Sequence, residues 1–96
     1  MSRQSTLEFI VQQLREAGAV RIGLFGSARQ GPLRRGSDLD ILVRFRRPLS
    51  LLRFTSLQRR LSRQVGRPVD LVTEDSLSPY LRRPIRRQQI LLHGER

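Results

Sequence analysis

Apolar residues near the start of the chain recur every three or four positions, which is the period of one helix face. The positions that share this face are Leu7, Ile10, Val11 and Leu14. Ser5 and Glu8 have the spacing of a capping box, so we expect Ser5 to be the N-cap of this helix. Gly18 follows the pattern as a stop signal. The first element is therefore predicted to be an amphipathic helix.

A second helix is predicted over residues 49–65, and a third helical segment begins near residue 77. In residues 49–65 the leucines and one phenylalanine occupy one face and arginines occupy the other, and Gly66 follows as the expected stop. Residues 77–92 have Pro84 as the start of the helix or as a kink within it. This segment ends in three apolar residues, 90–92, for which we expect a short edge strand.

Three other stretches alternate apolar and polar residues as half-buried strands do: residues 19–25, 38–45 and 67–73. In the middle stretch one side carries Leu39, Ile41, Val43 and Phe45, and the other side carries Asp38, Asp40, Leu42 and Arg44. The predicted order is α-β-β-α-β-α. It favours a single domain over residues 1–96 of the α/β (α+β) class, with a small mixed β-sheet flanked by helices.

Length and composition narrow the class of protein. The chain has 96 residues, of which 38% are hydrophobic, so we expect one small core. It contains no apolar run of ~18 residues, and no membrane span is predicted. The first ten residues lack the apolar run of a secretory signal, and there is no cysteine. We therefore expect a cytoplasmic protein without disulfides or thiolate metal sites.

The net charge of +11 comes from 19 basic residues, all of which are arginine. The absence of lysine indicates a bias toward GC-rich codons, so part of this charge reflects the genome. The guanidinium group nevertheless suits phosphates and carboxylates. Charge alone leaves three readings open: a polyanion ligand, an acidic protein partner, or a solvated arginine surface.

The few acidic residues are placed in a way that indicates a metal site. Asp38 and Asp40 lie two apart on a predicted strand, so both carboxylates project from one side. Two such carboxylates repel each other unless a cation lies between them, and Mg²⁺ binds through carboxylates and substrate phosphates. Asp70 interrupts a third, apolar strand, which is costly unless it is paired or metal-bound. If that strand neighbours the second, the three acids converge and can position metal ions for phosphoryl transfer.

Gly26 and Ser27 have the character of a phosphate-binding turn. Glycine permits close approach of the backbone, and a helical turn beginning at Ser27 would present free N–H groups to an anion. Charge-assisted contacts are expected from Arg29, Arg34 or Arg35. Each feature also has a plain reading: a turn at Gly-Ser, a strand start at Asp38, or an arginine partner for Asp70. Their combination in strand context favours the functional reading.

Gly26-Ser27, ten intervening residues and Asp38-Leu39-Asp40 resemble the signature of the DNA polymerase β-like nucleotidyltransferase superfamily. Further matches extend over nearly the whole chain: Phe25, Gly31, Ser37, the run Ile41-Leu42-Val43 and the later Val69-Asp70-Leu71-Val72. With its small size, the chain is similar to the minimal nucleotidyltransferases, which are the antitoxins of HEPN/MNT toxin–antitoxin pairs. The resemblance implies a polymerase β-like nucleotidyltransferase fold.

The resemblance also implies an activity. Such a protein is an adenylyltransferase that moves AMP from ATP to a tyrosine hydroxyl of a cognate HEPN ribonuclease toxin and silences it, as part of a hetero-oligomer. By this analogy Asp38 and Asp40 hold Mg²⁺. Asp70 is the third catalytic and metal-site carboxylate, which deprotonates or orients the attacking hydroxyl. Gly26 and Ser27 hold the β- and γ-phosphates, with Arg29 as a further nucleotide-binding residue.

Two other functions compete with this prediction. The chain could be a non-catalytic antitoxin that inhibits its partner by stoichiometric binding through its basic surface. It could also bind nucleic acid directly, as its charge permits. Its aromatic residues are one Tyr and four Phe, without an RNP-like or helix-turn-helix pattern, so direct nucleic-acid binding ranks last.

Overall fold

The structure is a computed structural model that describes residues 2–26 and 38–95. The elements within these residues, in chain order, are α1 (Arg3–Glu16), β1 (Ala19–Phe25), β2 (Leu39–Phe45), α2 (Leu51–Val65), β3 (Val69–Thr73), α3 (Pro79–Gln88) and β4 (Ile90–His93). A short 3-10 turn, Glu74–Ser76, joins β3 to α3. The predicted order is confirmed, and the expected C-terminal edge strand follows it as β4. In the described part of the chain no helix is long and apolar enough to span a membrane.

The four strands form one mixed sheet in the order β3-β2-β1-β4. Strand β1 runs antiparallel to both of its neighbours, β2 and β4. Strand β2 runs parallel to β3. The predicted mixed sheet is confirmed, and so is the condition on which the convergence of the acids depended, namely that β2 and β3 are neighbours.

One face of the sheet carries the hydrophobic core, and helices α1 and α2 cover it. The buried side chains that form this core are Leu7, Ile10 and Leu14 from α1, Leu57 and Leu61 from α2, and Ala19, Ile22, Leu24, Leu39, Ile41, Val43, Val69 and Leu71 from the strands. Because side chains alternate along a strand, the residues between these apolar positions project from the opposite face. We call this opposite face the polar face.

The helix ends follow local capping rules, and one predicted cap is wrong. Helix α1 has Ser2 as its N-cap, whose hydroxyl oxygen accepts a hydrogen bond of 3.1 Å from the backbone N–H of Ser5. Ser5 therefore lies in the first turn and is not the cap, because Arg3 and Gln4 extend the helix by one turn to an equally good capping residue.

The ends of α2 agree more closely with expectation. Ser50 caps its N-terminus, so the helix starts two residues later than predicted. Gly66 adopts a left-handed conformation with φ of 74° and caps its C-terminus, as predicted. The hydroxyl of Ser62 then accepts a 2.9 Å hydrogen bond from the N–H of Val69, which fixes the start of β3 against the helix.

Candidate active site

The three predicted carboxylates lie at one edge of the polar face. Asp40 on β2 is the register partner of Asp70 on β3. Adjacent strands are about 4.8 Å apart, so these two side chains leave the sheet from neighbouring positions. Asp38 is exposed and lies two residues before Asp40. It directly precedes β2, whereas we expected it to be the first residue of the strand. The structure therefore pairs Asp40 with Asp70 and places Asp38 next to Asp40 along the chain, close enough for the charges of both to act on Asp40.

The charge of Asp40 is poorly compensated in this arrangement. Burial raises the pKa of the half-buried Asp40 carboxyl, and the negative charges of Asp70 and Asp38 raise it further. Among residues 2–26 and 38–95, neither recorded ion pair involves any of the three aspartates. The alternative of an arginine partner for Asp70 is thus not found there. A site that concentrates negative charge without a protein cation is suited to an external cation.

The donor set fits magnesium better than a metal held by protein ligands alone. Within the described ranges no three acidic, histidine or cysteine side chains form a ready metal-binding cluster. Magnesium usually binds through one or two carboxylates and completes its octahedral shell with water and substrate phosphates. The neighbouring carboxylates of Asp40 and Asp70 match that requirement, because a cation bound to them would relieve the repulsion that raises the pKa of Asp40. The assignment of individual ligands among Asp38, Asp40 and Asp70 stays a prediction.

Gly26 meets this site through close packing that the sequence did not reveal. It follows β1 directly, beside the Phe25–Asp40 strand pair, and has a left-handed φ of 75°. A Cβ at position 26 would overlap Oδ2 of Asp40. The backbone conformation therefore favours glycine, and a Cβ here would also force the Asp40 carboxylate to move. Ser27 and Arg29, predicted for nucleotide binding, lie outside the described residues, as do Arg34 and Arg35.

The other end of the polar face holds an acid that sequence reasoning missed. Glu74, in the turn after β3, is buried, and its Oε2 lies 2.6 Å from Nη2 of Arg21 on β1. Its Oε1 lies 3.6 Å from Nε of Arg86 on α3. Arg21 also donates a 3.2 Å hydrogen bond to the backbone oxygen of Glu95. Glu74 therefore links β1 to α3, and Arg21 extends this connection to the C-terminal segment.

Between these two ends, the polar face is covered by the residue that follows α3. Gln89 is buried, and its Oε1 occupies the space that a Cβ on Gly23 would take. Gly23 is the register partner of Leu42, which lies two residues from Asp40 on β2. Gln89, directly after α3, therefore lies on the Gly23–Leu42 strand pair, two residues along β2 from Asp40.

Comparison with known proteins identifies the family. The family model for the nucleotidyltransferase domain matches residues 5–92. The chain belongs to the nucleotidyltransferase domain family. This nucleotidyltransferase is 39% identical over 88 residues to the protein adenylyltransferase MntA of Thermococcus cleftensis, a match that covers 91% of this chain and 89% of the relative.

Solved structures give the same answer for the fold. A toxin–antitoxin complex with AMP-PNP contains a chain that superposes with a TM-score of 0.81 at 32% identity, covering 94% of this nucleotidyltransferase and 74% of that chain. A complex of an MNT antitoxin with the tri-AMPylated HEPN toxin of Shewanella oneidensis gives a TM-score of 0.77 at 28% identity, covering 96% and 72%. The predicted membership of the minimal nucleotidyltransferases, their fold and the enzyme class are confirmed.

The site has the parts that nucleotidyl transfer requires of the protein. The reaction displaces pyrophosphate from a nucleoside triphosphate, so negative charge must be neutralised where the phosphates lie. Carboxylates on rigid neighbouring strands are groups that would hold a divalent cation there with little positional freedom. A Cβ built at Gly26 would meet the carboxylate of Asp40. The nucleotidyltransferase thus has neighbouring carboxylates and a glycine turn within one small region.

Proposed function

We propose that this chain is an antitoxin that acts as a magnesium-dependent protein adenylyltransferase, transferring AMP from ATP to a tyrosine hydroxyl of a cognate HEPN-type toxin. The observation that carries the proposal is the in-register pairing of Asp40 with Asp70, next to Asp38 and without an arginine partner in the described residues. Support for the acceptor comes from the MNT antitoxin found with a tri-AMPylated HEPN toxin. The relative named as a protein adenylyltransferase supports the reaction type.

In this proposal each residue of the site has one task. Asp38 and Asp40 would hold Mg²⁺, with Asp70 as the third carboxylate of the set. The ion, when bound, neutralises the phosphates and polarises the reacting phosphoryl group. Gly26 and Ser27 bind the β- and γ-phosphates through main-chain N–H groups, and Arg29 adds a charged contact.

In this proposal Asp70 would act on the acceptor. Its carboxylate stands beside Asp40 across the β2–β3 pair and is exposed, so an incoming hydroxyl can reach it. It accepts or orients the proton of that hydroxyl as the oxygen attacks the α-phosphorus. A new phosphorus–oxygen bond forms, the bond between the α-phosphorus and its bridging oxygen breaks, and pyrophosphate leaves. The reaction neutralises the toxin, and we place it in the cytoplasm.

The test is intact mass spectrometry of a candidate HEPN toxin incubated with this chain, ATP and Mg²⁺. We expect adenylate-sized additions to the toxin. The Asp38→Asn, Asp40→Asn double variant should lose at least about 10³-fold in rate, equivalent to about 4 kcal/mol of transition-state stabilisation. Asp75→Asn is the matched control, because Asp75 is an exposed acid in the turn next to Glu74, at the other end of the polar face.

Chelation of Mg²⁺ should abolish the additions, and re-addition should restore them. Transfer by the double variant at the rate of Asp75→Asn would overturn the proposed role of the aspartates. Absence of any addition by the wild-type chain, with every candidate toxin encoded beside it, would overturn the enzymatic function.

A second candidate is inhibition by binding alone. It is favoured by the solved complexes, in which similar chains are found together with their toxins. The same double variant separates the two functions. If the toxin is inhibited equally by the wild-type chain and the double variant, and stays unmodified, stoichiometric binding is the function. If inhibition requires the aspartates and accompanies the mass increase, the function is catalytic.

A further inference from the structure

The apolar residues of α2 continue past the part of the helix that the core uses. Leu57 and Leu61 are buried against the sheet. Leu51 and Leu52, in the first turn of the same helix, are 81% and 78% exposed. Single exposed leucines are common on protein surfaces, but two adjacent ones form a patch that packing within the chain does not explain.

Each of these two leucines borders a cavity. Leu51 lines one of about 560 Å³, between the start of α2 and the C-terminal ends of β2 and β3. Leu52 lines another of about 320 Å³, where Ala17 at the end of α1 faces α2. Leu49 lines both cavities, so they adjoin. We call Leu49, Leu51 and Leu52, together with the two cavities, the leucine patch.

The shape of the leucine patch favours a protein partner. The walls of the larger cavity come largely from apolar side chains, among them Phe45, Pro48 and Phe54. The rings of Phe45 and Phe54 pack edge to face with their centroids 6.5 Å apart, which holds this wall in place. Recesses of this kind receive the anchoring side chains of a folded partner. A lipid bilayer has no side chains with which to fill them.

The charge around the leucine patch indicates that this partner is acidic. Between Asp40 and Asp70 the sequence contains eight arginines and no acid. Arg44 lines the larger cavity, and Arg53 and Arg60 line the smaller one. These three arginines are exposed, and none of them belongs to either ion pair recorded for residues 2–26 and 38–95. Their guanidinium groups are suited to carboxylates of a partner.

The acids near the leucine patch leave this positive charge in place. Glu74 and Asp75 both line the larger cavity, but Glu74 is buried and paired with Arg21, so Asp75 is the one exposed acid of the lining. A second copy of this chain would bring its own arginines and its net charge of +11 to the same surface. Like charges oppose such pairing. The patch therefore suits an acidic protein better than another copy of the chain.

The leucine patch lies toward the end of β2 that is away from the aspartates. Asp40 is the second residue of β2, and Arg44, which lines the larger cavity, follows four residues later. At a strand rise of about 3.3 Å per residue, the two positions are about 13 Å apart along the strand. A protein held at the patch can span this distance and still present a hydroxyl group to the aspartates.

Building on the proposed function, we propose that the acceptor protein docks on the leucine patch through an acidic segment whose apolar side chains enter the two cavities. Recognition and reaction then take place toward opposite ends of β2. The leucine patch selects the protein, and the aspartates act on the tyrosine that the docked protein presents. The patch contributes to affinity for the acceptor and not to the chemical step.

Binding of a candidate HEPN toxin, measured by isothermal titration calorimetry without ATP or Mg²⁺, tests this surface. The Leu51→Ser, Leu52→Ser double variant should bind at least about tenfold more weakly, because it removes apolar anchors from the centre of the interface. Both leucines are exposed, so their replacement should leave the fold intact.

The matched control is Tyr80→Ser, Leu81→Ser. It removes another exposed apolar pair, 89% and 54% exposed, from the first turn of α3. The control should weaken binding less than about twofold, because residues outside an interface are close to neutral. Equal loss of affinity in the two double variants, or no loss in the leucine variant, would overturn the proposal.

The arginines provide an independent comparison. Arg53→Ser, Arg60→Ser removes two arginines that line the smaller cavity, whereas Arg59→Ser, Arg63→Ser removes two exposed arginines of the same helix that line neither cavity. The first double variant should weaken toxin binding about threefold to tenfold at low salt, and less at high salt, where exposed charge pairs are screened. Equal losses in both would mean nonspecific attraction and would overturn docking of an acidic segment.

Kinetics of toxin adenylylation separate docking from chemistry. The leucine double variant should raise KM for the toxin at least about tenfold and change kcat less than about twofold, because docking stabilises the bound toxin and the transition state equally. A lower kcat with unchanged KM would overturn the proposal. If the wild-type chain adds no adenylate, the proposed function fails, while calorimetry still decides whether the leucine patch docks the toxin.

Two other occupants of the leucine patch would be revealed by the same variants. We expect the wild-type chain alone to sediment as a monomer and not to bind vesicles of phosphatidylcholine and phosphatidylserine. A wild-type dimer that the leucine double variant dissociates would assign the patch to a second copy. Vesicle binding that requires the leucines would assign it to a membrane. Either result would overturn the proposal, as would a wild-type chain that binds no candidate toxin.

Discussion

Asp40 and Glu74 are two acids on the same face of one sheet, and the protein treats them in opposite ways. Glu74 is buried and lies between Arg21 and Arg86. Asp40 is half-buried and lies among other aspartates, with a raised pKa and no ion pair in the described residues. A chain with 19 arginines does not lack cations for Asp40.

In our proposal the difference separates an acid that stabilises the fold from acids that bind a ligand. Where an acid has only a structural task, as Glu74 has, burial is accompanied by cations, here Arg21 at hydrogen-bond distance and Arg86 at 3.6 Å. Where the charge is needed for binding, the repulsion is left in place and is relieved only when the ligand arrives. The contrast within one sheet is therefore a better indicator of the active site than the acids considered singly.

Replacing Glu74 by Gln should have the largest effect on stability. Breaking a buried ion pair typically costs ~3–5 kcal/mol, and because Arg86 keeps partial access to water we expect about 2–3 kcal/mol here. For a domain of this size that corresponds to a fall in Tm of roughly 10–20 °C. Calorimetry of Glu74→Gln beside the exposed neighbour Asp75→Asn measures it. Equal Tm values for the two variants would contradict a structural role for the pair.

Replacing Gly26 by Ala tests the packing of the glycine turn against Asp40. Gly66→Ala is its matched control, because the two glycines have φ of 75° and 74° but no atom lies within 4 Å of a Cβ at Gly66. Both variants should lose about 1–2 kcal/mol from left-handed alanine. Gly26→Ala should lose roughly 1 kcal/mol more, or lower transfer activity, from overlap with the Asp40 carboxylate. Equal urea midpoints for the two alanine variants, with activity retained in both, would contradict a significant contact between position 26 and Asp40.

Replacing Asp40 by Asn should have the smallest effect and the opposite sign. The folded state raises the pKa of Asp40 above 3.8, so folding disfavours its ionised form. Wild-type stability is therefore fully kept below that pH and partly lost as the pH rises through the folded-state pKa. Without metal, Asp40→Asn should have a higher Tm at pH 7, and this gain should vanish in strong acid. Exposed Glu16→Gln is the control for the loss of one surface carboxylate. A Tm below that of the wild type for Asp40→Asn at neutral pH would contradict this prediction, because it would mean that the fold stabilises the ionised carboxylate of Asp40.

Local patterns were sufficient for much of this site. The alternation of residues 38–45 predicted that Asp40 points away from Ile41, because side-chain direction in a strand depends only on position. The end of α2 at Gly66 was also predicted, because the left-handed backbone that ends a helix is a local property that favours glycine. The N-cap of α1 was not, because Ser2 and Ser5 are equally good caps and the choice depends on one further turn of helix.

Long-range contacts could not be predicted from the sequence. Any of 19 arginines is a formal partner for Glu74, and nothing local selects Arg21, which is 53 residues away. The contact of Gln89 with Gly23 depends on where α3 returns over the sheet. The register of Asp40 with Asp70 was a condition in the sequence argument, because pairing is set by how Leu39, Ile41, Val69 and Leu71 pack in the core.

The Asp40–Asp70 pair joins two strands that belong to different halves of the chain. Between β2 and α2 the backbone passes through Arg46, Arg47 and Pro48, all of them exposed. Expressed as two polypeptides divided at this point, the protein would place Asp38 and Asp40 on one fragment and Asp70 on the other. Neither fragment alone contains a complete carboxylate set, and the set is restored only when β2 and β3 pair. Fused to two proteins that associate, the fragments would act as a split enzyme whose adenylylation signal reports their encounter.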